Sequence, residues 1–215
     1  LSMQDSAVAS YTYSGGDMVI SDYQQGAQIN LASDFTGINF DENNFYVNSS
    51  SGTLTIQNAR DKVISYGDAQ ANLVAYSYMA SSGGDIDGRN IDKAEIIIGG
   101  NDSSNQIYAG SGGSSLWGGN GGDDLLVGGE GKDTFFYTNG NGNDTITGAK
   151  NNDVVYLSQI TLEQITGTNI TADSVSISFI DGGSLQINAR ADMTYQLADG
   201  SKFSANQERL EWDSK

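Results

Sequence analysis

The sequence predicts an all-β fold: a short parallel β-roll flanked by two related β modules. Three observations lead there. A Gly-rich block at 100–148 repeats every nine residues, its two flanks repeat each other, and both flanks consist of short β-branched and aromatic segments broken by Gly, Asn and Asp. The chain has 215 residues with 28 Gly and no Pro, Cys or His. Gly is well above its usual ~7% and Pro far below its usual ~5%, a profile of tight backbone turns rather than of a flexible linker. Hydrophobic residues make up 37%, with 11 Tyr, 7 Phe and 2 Trp, which is enough to build a core.

Taken in order, residues 1–10 are a tail and 11–81 the first β module. Its segments Met18-Val19-Ile20, Gln28-Ile29-Asn30-Leu31, Thr53-Leu54-Thr55-Ile56 and Val63-Ile64-Ser65-Tyr66 read as strands. Asn72 to Met79 is expected to form a short helix. A polar connector at 82–99 leads into the apolar run Ile96-Ile97-Ile98. Within it, Asp85-Ile86-Asp87-Gly88 resembles the start of a calcium loop but lacks the later acidic ligand of an EF-hand, so it reads as a solvated turn. The β-roll occupies 100–148, the second β module 149–205, and 206–215 is a closing tail.

The flanks align with each other. Ile20 and Ile146, Leu31 and Leu157, and Tyr11-Thr12 and Tyr137-Thr138 share a spacing of 126. Leu54 and Leu185, Ile56 and Ile187, Asp61 and Asp192, and Asp68 and Asp199 share a spacing of 131. The second copy therefore gains five residues in an intervening loop. Within the roll, units begin at Gly100, Ala109, Gly118, Gly128 and Asn139, with Val127 as a single extra residue. The eighth position is apolar in all five (Ile107, Leu116, Leu125, Phe135, Ile146), and the sixth is Asn105, Ser114, Asp123, Asp133 and Asp144.

A six-residue turn followed by a three-residue strand reverses the chain every nine residues. Two units then make one coil, and turns on the same side recur about every 18 residues. Stacked coils bury the eighth-position column. Rows of carbonyls and sixth-position carboxylates meet in the turns, and such an all-oxygen cage suits Ca²⁺, which takes ~6–8 oxygens in flexible geometry. Without an ion the adjacent Asp rows repel, so binding is expected to couple to folding.

This block resembles the repeats-in-toxin (RTX) family of calcium-binding β-rolls, whose consensus is G-G-x-G-x-D-x-U-x with U a large apolar residue. Gly118-Gly119-Asn120-Gly121-Gly122-Asp123-Asp124-Leu125-Leu126 is the cleanest unit, and Gly128-Gly129-Glu130-Gly131-Lys132-Asp133-Thr134-Phe135-Phe136 follows it. The resemblance implies calcium ligands from two stacked pairs of turns: Gly119, Gly121 and Asp123 with Asn139, Asn141 and Asp144, and Gly110, Gly112 and Ser114 with Gly128, Glu130 and Asp133. Ser114 and Asn105 depart from the family's Asp. Only the Asp123/Asp144 pair carries two carboxylates, and it spans 21 residues instead of the ideal 18. Binding of one to three ions is expected, in the ~10⁻⁴–10⁻³ M regime of extracellular modules. The alternative for the non-Asp coils is filling by hydrogen bonds.

The excess of acidic over basic residues gives a net charge of −17. A surface of that sign repels nucleic acid and anionic membrane and attracts cations. Lack of His and Cys excludes Ser-His-Asp and Cys-His nucleophile systems, zinc sites built on them, and disulfides. No apolar run approaches the ~20 residues that span a bilayer, and the first residues lack a signal-peptide pattern. No two carboxylates are placed across a cleft, so no enzyme is expected. Trp117, at an outward ninth position, is read as packing against a neighbouring strand or flank, with sugar stacking as the alternative.

The resulting expectation is a calcium-binding structural segment of a larger secreted protein. The RTX resemblance implies type I export, folding on external calcium, and a place at a bacterial cell surface as an adhesin or surface-layer component. Two alternatives stand beside it: the C-terminal accessory domain of an exported protease, lipase or polysaccharide-modifying enzyme, and a module that binds a cell-surface glycan or protein.

Overall fold

Strands of three to six residues, alternating inward apolar with outward polar side chains, build two long sheets whose inner faces share one hydrophobic core. The computed structural model describes residues 10–31, 33–41, 43–60, 62–73, 77–79, 84–93, 95–99, 102–188, 193–206 and 209–213. The first part contributes β1 (Ser10–Thr12), β2 (Met18–Ile20), β3 (Gln28–Asn30), β4 (Phe35–Phe40), β5 (Phe45–Ser49) and β6 (Gly52–Ile56). It continues through β7 (Val63–Tyr66), β8 (Ala69–Asn72) and β9 (Ser77–Met79). The middle holds β10 (Asp85–Asp87), β11 (Ile96–Ile98), β12 (Gln106–Tyr108), β13 (Ser115–Trp117), β14 (Leu125–Val127) and β15 (Thr134–Tyr137). Then come β16 (Asn143–Thr147) and β17 (Val154–Leu157). A 3₁₀ turn at Leu162–Gln164, the sole helical element among the described residues, precedes β18 (Ile165–Ile170), β19 (Val175–Phe179) and β20 (Ser184–Ile187). The chain closes with β21 (Thr194–Leu197), β22 (Lys202–Asn206) and β23 (Arg209–Asp213).

The 12-stranded sheet runs β1-β3-β7-β8-β9-β11-β13-β15-β17-β21-β22-β23, and the 11-stranded sheet runs β18-β19-β20-β16-β14-β12-β10-β4-β5-β6-β2. From β10 to β17 every pairing is parallel and successive strands alternate between sheets, which is a β-roll. Ile97, Leu116, Phe135, Val155 and Tyr195 stand in register in one sheet. Ile38, Ile86, Ile107, Leu126, Ile146 and Ile187 do so in the other. All of these side chains are buried, each worth about 1.5–3 kcal/mol of transfer free energy.

Both flanks extend these same two sheets, and their duplication is visible in the pairing. Ile20 pairs with Ile56 as Ile146 pairs with Ile187. Antiparallel β4-β5-β6 corresponds to β18-β19-β20, down to a shared irregularity at Phe35/Gly37 and Ile165/Gly167. Phe35-Thr36-Gly37-Ile38-Asn39-Phe40 and Ile165-Thr166-Gly167-Thr168-Asn169-Ile170 carry the same Thr-Gly-x-Asn core. The counterpart of Tyr137 is Tyr13 rather than Tyr11: both are buried, and their hydroxyls donate to Gly142 O and Gly16 O.

Three local expectations change. The stretch from Asn72 to Met79 ends one strand and contains another, paired with β8 and β11, where a helix was expected; residues 74–76 lie outside the described set. Partners on both sides and the buried Tyr78 set this segment as a strand, a tertiary context that outweighs local propensity. Asp85-Ile86-Asp87 is a roll strand with Ile86 buried, not a solvated turn. The parallel roll also continues past 148, because Gly148 opens a further unit whose sixth and eighth residues are Asp153 and Val155.

Candidate metal centre

The turns stack on two sides of the roll. One side holds 99, 102–105, 118–124 and 138–142; the other holds 88–93, 95, 109–114, 128–133 and 148–153. The expected turn pairs do stack. A Cβ on Gly142 would lie 1.6 Å from Gly122 O, and one on Gly129 would lie 1.7 Å from Gly110 O. Gly119 and Gly121 thus sit in the turn next to Asn139 and Asn141, and Gly110 and Gly112 in the turn next to Gly128, Glu130 and Asp133.

Each turn is closed by a polar side chain that points into the stack, and those of Ser114, Asp124, Asp133, Asp144 and Asp153 accept the backbone N–H of the counterpart one coil earlier. On the first side Asn105 N donates to Asp124 Oδ1 (2.7 Å) and Asp124 N to Asp144 Oδ1 (3.0 Å). Asn105 Nδ2 reaches Gly84 O at 2.7 Å. On the second side Ser114 N donates to Asp133 Oδ1 and Asp133 N to Asp153 Oδ1, both at 2.8 Å. These ladders bury Asn105, Ser114, Asp124, Asp133, Asp144 and Asp153 to 2% exposure or less.

The inward carboxylate of the 118–124 turn is therefore Asp124, and Asp123 is not part of the column. Asp123 is exposed and its Oδ1 accepts Asn143 N and Nδ2 at 2.9 and 3.1 Å. The extra residue of this unit lies inside the turn, not at Val127. That shift brings Leu126 into the core, where Leu125 was expected, and leaves Leu125 half-buried. Glu130 turns outward and pairs with Lys150 Nζ at 2.7 Å.

The two sides differ in how the remaining carboxylate oxygens are used. On the second side Asp133 Oδ2 accepts Gly129 N and Asp153 Oδ2 accepts Lys150 N, each at 2.7 Å. Ser114 has no carboxylate to offer its own turn. Glu95, one turn earlier, reaches in instead: its Oε2 accepts Gly110 N at 2.7 Å and Ser114 Oγ at 3.4 Å. On the first side Asp124 Oδ2, Asp144 Oδ2 and Asn105 Oδ1 are buried without a partner, and so are Asn139 Oδ1 and Asn141 Nδ2 in the next turn, whereas in the turns of the second side Glu95 Oε1 alone is left so among the described residues. Glycine is required where the backbone crowds these groups: a Cβ on Gly118 would lie 2.1 Å from Asp124 Oδ2.

Burial pushes the Asp144 carboxyl up to about 8, with the Asp124 and Asp123 charges adding to the rise. Burial likewise raises Asp124 to about 6 and Glu95 to about 8, and lifts Asp133. Dehydrated acids held close together with open oxygens demand either protons or a cation. Among the described residues no three His, Cys, Asp or Glu side chains converge on one point. A cation here draws most of its ligands from amide and main-chain oxygens, as Ca²⁺ readily does. The residues fit the ion best on the first side, where Asp124, Asp144 and Asn105 hold the open oxygens. Glu95, Asp124 and Asp153 are absent from the sequence-predicted set. Asp153 carries a legible signal, the continuing Gly148-to-Val155 unit; Glu95 carries none.

A second feature lies on the outer face of the 12-stranded sheet, where Trp117, Phe136 and Tyr156 stand side by side in register. An open groove of about 600 Å³ there is lined by Trp117, Phe136, Asn120, Asn139, Ser158 and Gln159, among others. Among the described residues no helix is long and apolar enough to cross a membrane.

Comparison with known proteins bears on the central block. Residues 99–135, 119–142 and 140–159 match the family described as RTX calcium-binding nonapeptide repeat (4 copies). No curated protein is significantly similar to the chain. Among solved structures, an extracellular lipase, LipA from Serratia marcescens, aligns over 81% of this chain and 32% of its own length at 15% identity and a TM-score of 0.39. The chain thus spans about a third of that lipase. Residues 99–159 of this all-β chain are an array of RTX calcium-binding nonapeptide repeats.

Proposed function

We propose that the chain is a non-catalytic, calcium-folded segment of a larger secreted protein that acts at a bacterial cell surface as an adhesin or surface-layer component. The observation that carries this reading is the column Asn105-Asp124-Asp144, with three buried oxygens left open inside a stack of RTX turns. Where calcium is scarce, closing the roll must dehydrate and protonate acids that are ionised in the open chain, and that cost works against folding. Where it is plentiful, the ion closes the turns and the flanking strands add to a formed core. A chain exported unfolded and folded by external calcium needs this behaviour.

Fractionating cells that express the full-length protein tests the location. Recovery with the cell surface, and release or protease sensitivity on calcium chelation, is the expected result. Recovery in the cytosol with unchanged protease resistance would overturn it.

A second reading is favoured by the groove beside Trp117 and Phe136. Aromatic faces stack on sugar rings, and the uncharged amides of Asn120, Asn139 and Gln159 suit hydroxyl partners. A glycan array read with and without calcium, on wild type and Trp117→Ala, tests it. A calcium-dependent hit lost in the variant supports glycan binding, and no hit removes it. The remaining alternative, an accessory domain of an exported enzyme, is decided by whether the full-length chain contains a catalytic domain.

A further inference from the structure

The two copies of the three-stranded β4-β5-β6 motif differ in one respect. In the first copy β4 is covered: β10 runs parallel to it, with Asp85 beside Gly37, Ile86 beside Ile38 and Asp87 beside Asn39. In the second copy the equivalent strand, β18, is the edge of the sheet. No strand among the described residues pairs with its outer side, and β23 approaches it without forming a ladder. Gly37 is where β10 comes close, since a Cβ there would lie 2.5 Å from Asp85 O. Gly167 retains the glycine, yet a Cβ there would meet only Ser178, at 3.9 Å or more. The second copy therefore keeps the clearance for a strand that it does not hold.

Edge strands are normally protected by charge, proline or shortness. β18 has six residues, Ile165 to Ile170, with no charge and no proline, and Thr168 and Asn169 are exposed. At the other end of the same sheet, no strand among the described residues pairs with the outer side of β2, although its counterpart β16 is covered on both sides. The exposed large hydrophobic residues among the described set fall at these two ends. Met18 and Val19 lie on β2, and Leu162 and Ile180 lie beside the start of β18.

We infer that the β18 edge takes a parallel strand from a second copy of this chain, and that the strand is β2, so that copies join head to tail through the 11-stranded sheet. Main-chain hydrogen bonds of β18 supply the affinity, as in strand addition generally. The register follows the β4–β10 pairing inside the molecule, with Gly167, Thr168 and Asn169 in the places of Gly37, Ile38 and Asn39. Such a contact joins two different surfaces and does not close on itself, so it produces chains of copies. The high negative charge opposes it, and salt or calcium relieves that repulsion.

The Cys-free chain makes the test direct. Val19→Cys and Asn169→Cys are prepared separately, in calcium and at about 0.15 M salt, mixed, and treated with a short bismaleimide; sedimentation equilibrium is run on the untreated wild type. The expected result is concentration-dependent association of the wild type, cross-linked dimers in the mixture well above either variant alone, and loss of both in a Thr168→Lys background with an unchanged circular dichroism spectrum. A monomer at every concentration with no cross-link would overturn the inference. So would cross-linking of Asn169→Cys to itself as strongly as to Val19→Cys, which would mean edge-to-edge pairing of β18.

Discussion

Asp124 and Asp123 are adjacent acids with opposite roles. One is buried in the ladder with an open oxygen, and the other is exposed and bonded to Asn143. Asp124→Asn should weaken calcium binding roughly tenfold or more, since a ligand charge is lost, while Asp123→Asn changes it little; isothermal calorimetry separates the two. Glu95 stands in for the carboxylate that Ser114 lacks. Its removal in Glu95→Ala leaves the buried Gly110 N–H unpaired and should cost about 1–3 kcal/mol in denaturant unfolding. Adding Ser114→Asp to that variant should recover part of the loss. The pH dependence follows from burial. Asp124, Asp144 and Glu95 titrate in the folded protein at about 6, 8 and 8, above the ~4 of an unfolded carboxyl. Folding therefore favours their protonated forms. The contribution is full near pH 4 and is lost as pH rises through about 6 and then about 8. Metal-free protein should melt at a higher temperature at pH 5 than at pH 8, and saturating calcium, which replaces the protons, should narrow or reverse the difference.

At the scale of elements, the register of a single strand carries the most information. The run Gly121-Gly122-Asp123-Asp124-Leu125-Leu126-Val127 offers two acids and two leucines in succession, so pattern alone allows the extra residue before or after the strand. Stacking decides, because only Asp124 lies where Asn105 N can donate, and that places Leu126 between Ile107 and Ile146. Leu126→Ala should cost about 2–5 kcal/mol in thermal or chemical unfolding, and Leu125→Ala under about 1. The opposite order would restore the other register. Strand positions in the flanks were readable because Ile20, Ile56, Ile146 and Ile187 repeat with their surroundings. The strand at Ser77–Met79 was not, since its parallel pairing with β11, where Ser77 stands beside Ile96, is made by residues distant in sequence. Glu95 was equally hidden: its partner Gly110 lies 15 residues on, and no local pattern marks it.

For the whole molecule, the nine-residue repeat made the roll, its two-sided turns and its cation legible, because each follows from the period and the chemistry of Gly and Asp. What the period cannot convey is that the flanks continue the same two sheets, for that depends on how the β4-β5-β6 and β18-β19-β20 motifs dock on parallel neighbours. One consequence is cooperativity: the roll supplies the surface on which both flanks pair, so ion binding in the turns should order strands far from the ion. The measurement that tests this most directly is a calcium titration of the metal-stripped protein, followed by far-ultraviolet circular dichroism and thermal melting, on wild type, Asp124→Asn/Asp144→Asn and Asp123→Asn. A single calcium-dependent gain of β signal and melting temperature in wild type and Asp123→Asn, absent or moved to much higher calcium in the double variant, is the predicted result. A wild type already folded without the ion and unmoved by millimolar calcium, or a double variant that responds like wild type, would contradict it.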